Sequence, residues 1–321
     1  MHSATLKKMP EPLNNRTGWP WTQETKPLPD KMPDGKPWPK ISIVTPSFNQ
    51  GGFIEETIRS VLLQSYPNLE YIIIDGYSKD DSIEIIKKYE KHLTYWVSEP
   101  DRGQSHAINK GFEKAQGEIF GWLNSDDLLL PGSLGHVAAV YRENPSAVAW
   151  VGTCYWIDPN GRILNTIIPK GLKRDSIADW WYGGFFMQPS CFFSAKAWKK
   201  LNGLDESLHY AMDFDLWLKL SEIGDFVRIP RALSAAIIHD KAKSQRQIPE
   251  MNIETFFVQF KHGYRQAATH RLVNLSSGQL PDYKLITFTK FKLINFVRRL
   301  WNSGKKQQDN TQYLVDVVKD L

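Results

Sequence analysis

From residue 40 onward, short apolar runs alternate with stretches that place apolar residues three and four apart. Ile41-Ser42-Ile43-Val44-Thr45 is β-branched and strand-sized. Residues 53–65 follow with Ile54, Ile58, Val61, Leu62 and Ser65 at helical spacing. Tyr71-Ile72-Ile73-Ile74-Asp75 reads as a second strand, 82–89 as a helix and 93–97 as a third strand. A helix over 105–115 and a fourth strand over 119–123 complete the series. Strands of about five residues between helices of about ten predict βαβ units and a mostly parallel sheet. The unbroken apolar run at 71–74 suits a strand covered on both faces.

After Asp127 the alternation loosens. Pro131 is expected to open a helix to Tyr141, and 147–154 to form a strand. Asp158-Pro159-Asn160-Gly161 is a strong turn signal, so its flanks predict a hairpin. An aromatic-rich stretch covers 180–193, then a helix over 214–220 and strands over 226–229 and 232–238. From Glu250 the chain turns helical and basic. Residues 1–40 repeat Pro and Trp, as in Gly18-Trp19-Pro20-Trp21, which blocks helix and favours an extended arm. Two states stay open for that arm: tryptophans packed back onto the domain, or a partly disordered leader.

Composition narrows the classes. The 321 residues carry 41% hydrophobic and 23% charged positions, a globular balance that excludes a mostly disordered chain. The net charge of +5 shows no concentrated basic stripe before the tail, so no nucleic-acid partner is expected. Cys154 and Cys191 are too few for a disulfide framework or a Cys-rich zinc site, which suits a reducing, cytoplasmic setting. No apolar run approaches the ~20 residues of a membrane span. Lys7 and Lys8 have no apolar stretch behind them, as a secretory signal requires.

In an open parallel sheet, ligands bind beyond the carboxyl ends of the strands. Here those ends read Thr45-Pro46-Ser47-Phe48-Asn49, Asp75-Gly76, Glu99-Pro100-Asp101-Arg102-Gly103 and Asn124-Ser125-Asp126-Asp127. Any one suits a turn or helix cap. Four on one edge point to a ligand site. The adjacent carboxylates of Asp126 and Asp127 repel unless a cation neutralises them. A hard divalent ion, Mg²⁺ or Mn²⁺, is the natural partner and leaves positions for substrate phosphates. Asp127 alone also suits the cap of the helix near Pro131. The chain has no G-x-x-x-x-G-K-[ST], which excludes a P-loop NTPase, and no G-x-G-x-x-G after the first strand, which disfavours a dinucleotide dehydrogenase.

An ordered series of motifs adds to this reading. It comprises Ile43-Val44-Thr45-Pro46-Ser47-Phe48-Asn49, Ser60-Val61-Leu62-Leu63-Gln64-Ser65-Tyr66-Pro67 and Glu70-Tyr71-Ile72-Ile73-Ile74-Asp75-Gly76. It continues with Gly103-Gln104-Ser105, Asn109-Lys110-Gly111 and Trp122-Leu123-Asn124-Ser125-Asp126-Asp127. Gly203-Leu204-Asp205-Glu206 and Asp213-Phe214-Asp215-Leu216-Trp217 close it. Over about residues 40–245 the chain resembles a family 2 glycosyltransferase, inverting and of the GT-A fold.

The resemblance implies a Rossmann-like, mostly parallel α/β sheet flanked by helices, with a helical C-terminal extension. It divides the chain into an arm (1–40), a nucleotide-sugar-binding half (41–127), an acceptor-binding half (128–249) and a basic amphipathic tail (250–321). It implies metal-dependent transfer of a sugar from a nucleotide-diphosphate sugar to an acceptor hydroxyl, in cell-surface polysaccharide or glycoconjugate synthesis. Thr45, Pro46, Asn49 and Asp75 would hold the nucleoside, and Asp101 and Arg102 would lie near the phosphates. The family's D-x-D falls on Asn124-Ser125-Asp126, so Asn124 and Ser125 would face the donor and Asp126 the Mn²⁺ or Mg²⁺. His239, after the last strand, is a second candidate ligand or simply a loop residue.

The family's catalytic base falls on Met212-Asp213, where the usual Glu is absent and Asp213 stands alone as base or helix N-cap. Asp215 suits the helix dipole. Gln188 and Trp181 would line the acceptor site. Tyr77 replaces a Gly common in relatives, and His106 an Asp. Residues 284–301 interleave apolar and basic positions, which suits peripheral contact with the inner membrane face and a glycan or lipid-linked acceptor, or packing on protein. Two rivals remain at this level: a sugar nucleotidyltransferase, and a non-catalytic module that binds nucleotide or glycan.

Overall fold

The structure is a computed structural model and describes residues 5–11, 16–180, 182–240 and 248–276. By contacts the chain separates into two units, Met1–Ile248 and Pro249–Leu321.

The first unit is built on one mixed sheet. Its parallel part is β1 (Ile41–Ser47), β2 (Leu69–Asp75), β3 (Tyr95–Ser98) and β4 (Ile119–Trp122). The crossovers are α1 (Ile54–Leu62), α2 (Ser82–Tyr89) and α3 (Gln104–Lys114). β1 and β2 are buried almost throughout, as strands covered by helices on both faces must be. Gly111 on α3 lies directly against Val44, so the helix approaches β1 more closely than a side chain would permit.

The second half adds β5 (Asp127–Leu129), α4 (Ser133–Glu143), β6 (Ala149–Ile157) and β7 (Ile163–Ile167). α5 (Arg174–Ala178), β8 (Cys191–Ser194), α6 (Ala195–Leu201), α7 (Met212–Ile223) and β9 (Phe226–Ile237) follow. The strand order is β3-β2-β1-β4-β8-β6-β9-β5, with β7 paired to β6 alone. β8 enters antiparallel to β4, β6 is antiparallel to β8, and β9 runs parallel to β6.

Several sequence expectations shift here. The helix after Pro131 starts at Ser133, behind Gly132 in the left-handed region. The two expected strands over 226–238 are one strand, β9, whose register against β6 shifts at Val151–Cys154. β5 was not expected, because three residues are too few for a periodic signal. The Asp158–Gly161 turn does join an antiparallel hairpin, β6 with β7.

The described parts of the arm pack on this unit. Met9, Met32 and Trp38 join the core formed with Ile41, Ile58, Tyr66 and Tyr89. Arg59 of α1 is buried, and its guanidinium donates to the carbonyls of Pro10, Pro20 and Trp21 at 2.9–3.1 Å and to Tyr89 Oη at 3.1 Å. The Trp19 indole donates to the Leu129 carbonyl at 2.8 Å.

The second unit contains α8 (Ile248–Lys261), whose first residue closes the first unit, and α9 (Arg265–Ser276). Arg271 joins them by donating to Gln259 Oε1 at 3.1 Å and Asn252 Oδ1 at 2.8 Å. The amphipathic stretch 284–301 lies outside the described residues.

Candidate active site

β1 and β2 end side by side, with Ser47 opposite Asp75. Asp75 is 0% exposed, and its carboxylate accepts from Ser47 Oγ (3.1 Å), Ser78 N (2.9 Å), Ser78 Oγ (2.5 Å) and Ser98 Oγ (2.7 Å). A carboxylate offers about four acceptor positions, so these donors fill it. Asp75 therefore knits three strand ends together through protein donors alone. Thr45 is buried, with Oγ1 3.1 Å from Tyr71 Oη. Asn49, at φ +52°, donates its N–H to Ser78 Oγ and accepts from Lys79 N, each at 2.8 Å. Beside it, burial works against the Asp80 carboxylate, but hydrogen bonds from Ser82 and the Gly51 amide outweigh it and hold Asp80 below the usual range.

The third strand end is tied across the sheet. Asp101 accepts from Gly103 N at 2.8 Å and presses against Gly76, where a Cβ would come within 2.6 Å of Asp101 Oδ2. Arg102 binds Glu206 Oε2 through Nε (3.1 Å) and Nη2 (2.6 Å). Arg102 is 69% exposed and Glu206 31%, so solvent screens the pair and it is weak. Asn109 holds the loop bearing Glu206 through Leu204 N, Leu204 O and Glu206 Oε1.

The fourth end is the most developed. Asn124 Oδ1 accepts from Gln104 Nε2 at 2.8 Å, and its Nδ2 donates to Asp127 Oδ2 at 3.1 Å and Gln188 Oε1 at 3.3 Å. Gln188 in turn donates to the Trp122 carbonyl at 2.8 Å. An Asp at 124 has no N–H to give these two acceptors and would set a third carboxylate beside Asp126 and Asp127. Burial pushes the Asp127 carboxyl well above its ordinary range, the Asp126 charge adds to this, and the Asn124 amide opposes it. Ser125 is buried in the turn. β5 pairs with β9, placing Asp127 opposite Ala236. This brings His239 Nε2 to 3.2 Å from Asp126 Oδ2, across 113 positions of sequence. Phe53 stacks on the imidazole with centroids 4.3 Å apart, and Nδ1 has no hydrogen-bond partner among the described residues.

Asp213 is the second residue of α7, behind an Ala211 cap that gives no side-chain bond. Its Oδ1 accepts from Phe214 N at 2.7 Å. Burial raises the Cys191 thiol at the start of β8 well above its ordinary range, and the Asp213 charge raises it further. Asp215 is buried and paired with Lys219 at 2.5 Å rather than turned to the helix dipole alone. Trp181 lies outside the described residues. The structure thus gathers Asn124, Ser125, Asp126, Gln188 and His239, and beside them Thr45, Pro46, Asn49 and Asp75. Sequence reasoning gave no role to Gln104, Ser78, Ser98, Glu206, Phe53 or Thr57. Gln104 and Glu206 stood inside quoted motifs, and the others carry no local signal.

The groups at Asp126 suit a shared divalent ion rather than a closed site. One carboxylate and one imidazole face each other, with a second carboxylate buried behind them. Among the described residues no three His, Cys, Asp or Glu side chains gather as a full ligand set. An ion held this way takes its remaining ligands from phosphate and water.

Comparison with known proteins agrees with this architecture. The family model for glycosyl transferase family 2 matches residues 42–202, half of the chain. An uncharacterized glycosyltransferase of Rickettsia typhi is 28% identical over 213 residues, covering 63% of this chain and 65% of that protein. Chondroitin synthase of Escherichia coli is also 28% identical over 213 residues, covering 65% of this chain and 30% of that protein. The chain thus spans less than two thirds of the length of these relatives. Among solved structures, S. aureus TarS 1-349 in complex with UDP-GlcNAc aligns with a TM-score of 0.57 at 17% identity, over 73% of this chain and 67% of that one. The mannosyltransferase PcManGT from Pyrobaculum calidifontis, in complex with GDP-Man and Mn²⁺, gives 0.53 at 16% identity over 88% of both chains. These likenesses establish the GT-A type of fold. With the family model spanning the parallel strands and the turn at Asn124, the chain belongs to glycosyl transferase family 2.

Proposed function

We propose that this chain transfers one sugar from a nucleotide-diphosphate sugar to an acceptor hydroxyl, with inversion, in the synthesis of a polysaccharide or glycoconjugate. The observation that carries the reading is the convergence of Asp126 and His239, 3.2 Å apart, beside the Asn124–Gln104–Gln188 network at the carboxyl edge of the sheet. The nucleotide-sugar complexes of the structural neighbours support the donor class.

Asp126 and His239 would hold Mn²⁺ or Mg²⁺, which when bound offsets charge on the leaving diphosphate. The chain's own residues do the rest. The strand ends around Asp75 and Asn49 seat the nucleoside. Arg102 exchanges Glu206 for a phosphate oxygen. Asn124 and Gln104 orient the donor by hydrogen bonds, and Gln188 adjoins the acceptor. Asp213 takes the proton of the acceptor hydroxyl as it attacks the anomeric carbon. The acceptor is a glycan or lipid-linked saccharide.

The test is thermal unfolding with a panel of nucleoside diphosphates, each with and without Mn²⁺, followed by transfer from the matching sugar donors. A ligand at a hundred times its dissociation constant stabilises the fold by about 2.7 kcal/mol. A metal-dependent shift with one nucleotide, then transfer, is the expected result. Binding without transfer or hydrolysis across many acceptors would put a non-catalytic binding module in its place, and pyrophosphate release from a nucleoside triphosphate a nucleotidyltransferase.

A further inference from the structure

The β6–β7 hairpin gathers three exposed large apolar side chains within six positions of sequence. Ile163, Leu164 and Ile168 are 53%, 52% and 52% exposed. Along a strand, 163 and 164 point to opposite faces, so apolar side chains reach solvent from both. β7 pairs with β6 alone, and its first four residues are exposed. Between Asp158 and Asp175 the chain carries Arg162, Lys170, Lys173 and Arg174 and no acidic residue. Arg174 pairs with Glu222 at 3.4 Å on the surface, while the Asp158 carboxylate before the turn accepts from Asn160 N and Arg162 N.

The register places this hairpin at the rim of the candidate site. Asn165, Trp156, Ala236 and Asp127 are successive partners across β7, β6, β9 and β5. Three strand spacings span about 14 Å. One step further along, Ile157 lies between Ile163 and Ile237, and its carbonyl accepts from Ile238 N, next to His239.

We propose that the β6–β7 hairpin is a membrane-contact surface that takes an anionic lipid bilayer. Exposed branched side chains enter the acyl boundary, while the flanking cations remain at the headgroups. Charge decides against a second copy of this chain as the occupant. A two-fold contact through β7 would set the same cationic segment against itself. The consequence for catalysis, an acceptor delivered from the membrane to the Asp126 edge, rests on the transferase reading above, whereas lipid binding does not.

The experiment is co-sedimentation of the full chain with phosphatidylcholine vesicles, with and without phosphatidylglycerol. The expected result is binding to the anionic vesicles that weakens as salt rises. Joint replacement Ile163→Thr, Leu164→Thr and Ile168→Thr puts strand-compatible β-branched residues at these exposed positions and is expected to weaken binding at least about tenfold. Lys170→Gln with Lys173→Gln is expected to abolish the preference for anionic over neutral vesicles. In both variants the nucleotide-dependent thermal shift stays at the wild-type value, which separates loss of this surface from loss of the donor site. No vesicle binding by the wild type overturns the proposal. So does undiminished binding by the threonine variant, which would assign contact to another segment such as the basic C-terminal stretch. Sedimentation without vesicles, lost in the same variant, would assign the surface to self-association instead.

Discussion

Asn124 shows how one atom changes the chemistry of a turn. Its amide nitrogen donates to Asp127 and Gln188, which no carboxylate at that position can do. Asn124→Asp is expected to destabilise the metal-free protein by about 1–3 kcal/mol, because two acceptors lose their donor and a third charge joins the turn. Thermal melts with and without Mn²⁺ check this, and the deficit should shrink when the ion is added. An unchanged melting temperature would show that the network is not under electrostatic load. Asp126→Ala is expected to remove the Mn²⁺-dependent part of the nucleotide shift, and a shift that still needs Mn²⁺ would move the ligand elsewhere. Asp213→Asn should keep donor binding while transfer falls about 10²–10⁴-fold, the range for loss of a general base. Full transfer by that variant removes Asp213 from the chemistry. The candidate residues were legible because they crowd at strand ends in a recognisable order. Their partners were not: Phe53 against His239, or Thr57 donating to the Asp127 carbonyl at 2.8 Å, follow from packing that no local pattern encodes.

At the scale of elements, the parallel half read clearly because buried strands and amphipathic helices have different periods. The antiparallel half did not. β5 is three residues long, and β9 looked like two strands because its centre is exposed around Arg231. The arm was ambiguous for another reason: its partner, Arg59, looks from sequence like an ordinary surface residue of α1. In the structure Arg59 answers three arm carbonyls and the Tyr89 hydroxyl, and the Trp21 ring lies 5.1 Å from its guanidinium carbon. Arg59→Met leaves those acceptors buried without donors, so a loss of about 3 kcal/mol or more is expected in denaturant unfolding. A loss below about 1 kcal/mol would mean that water replaces the guanidinium and the arm is held by its apolar contacts alone.

For the whole molecule, buried titratable groups set the alkaline limit. Burial raises the Cys154 thiol to about 12, with a further contribution from the Asp127 charge, and Ser234 opposes it. Burial likewise raises the Tyr66, Tyr71 and Tyr89 phenols. In the unfolded chain these groups ionise at about 8.5 for a thiol and about 10 for a phenol. The folded state therefore binds more protons above those values, and stability is expected to fall as pH rises past about 9. Melts from neutral to alkaline pH check the sign, and a flat profile would contradict the burial of these side chains. Cys154 and Cys191, both buried, should react with a thiol reagent only after unfolding.

The bonds of Arg59 and Trp19 carry a consequence for the order in which the protein is made. The arm leaves the ribosome before α1 and β5, yet its carbonyls find their donor only when Arg59 has been synthesised, and the Trp19 indole only when Leu129 has. The arm, made before its partners, is thus among the later parts of this unit to settle. Until then their tryptophans stay in the open, and a nascent chain halted before β5 would show chaperones a surface that the finished protein conceals.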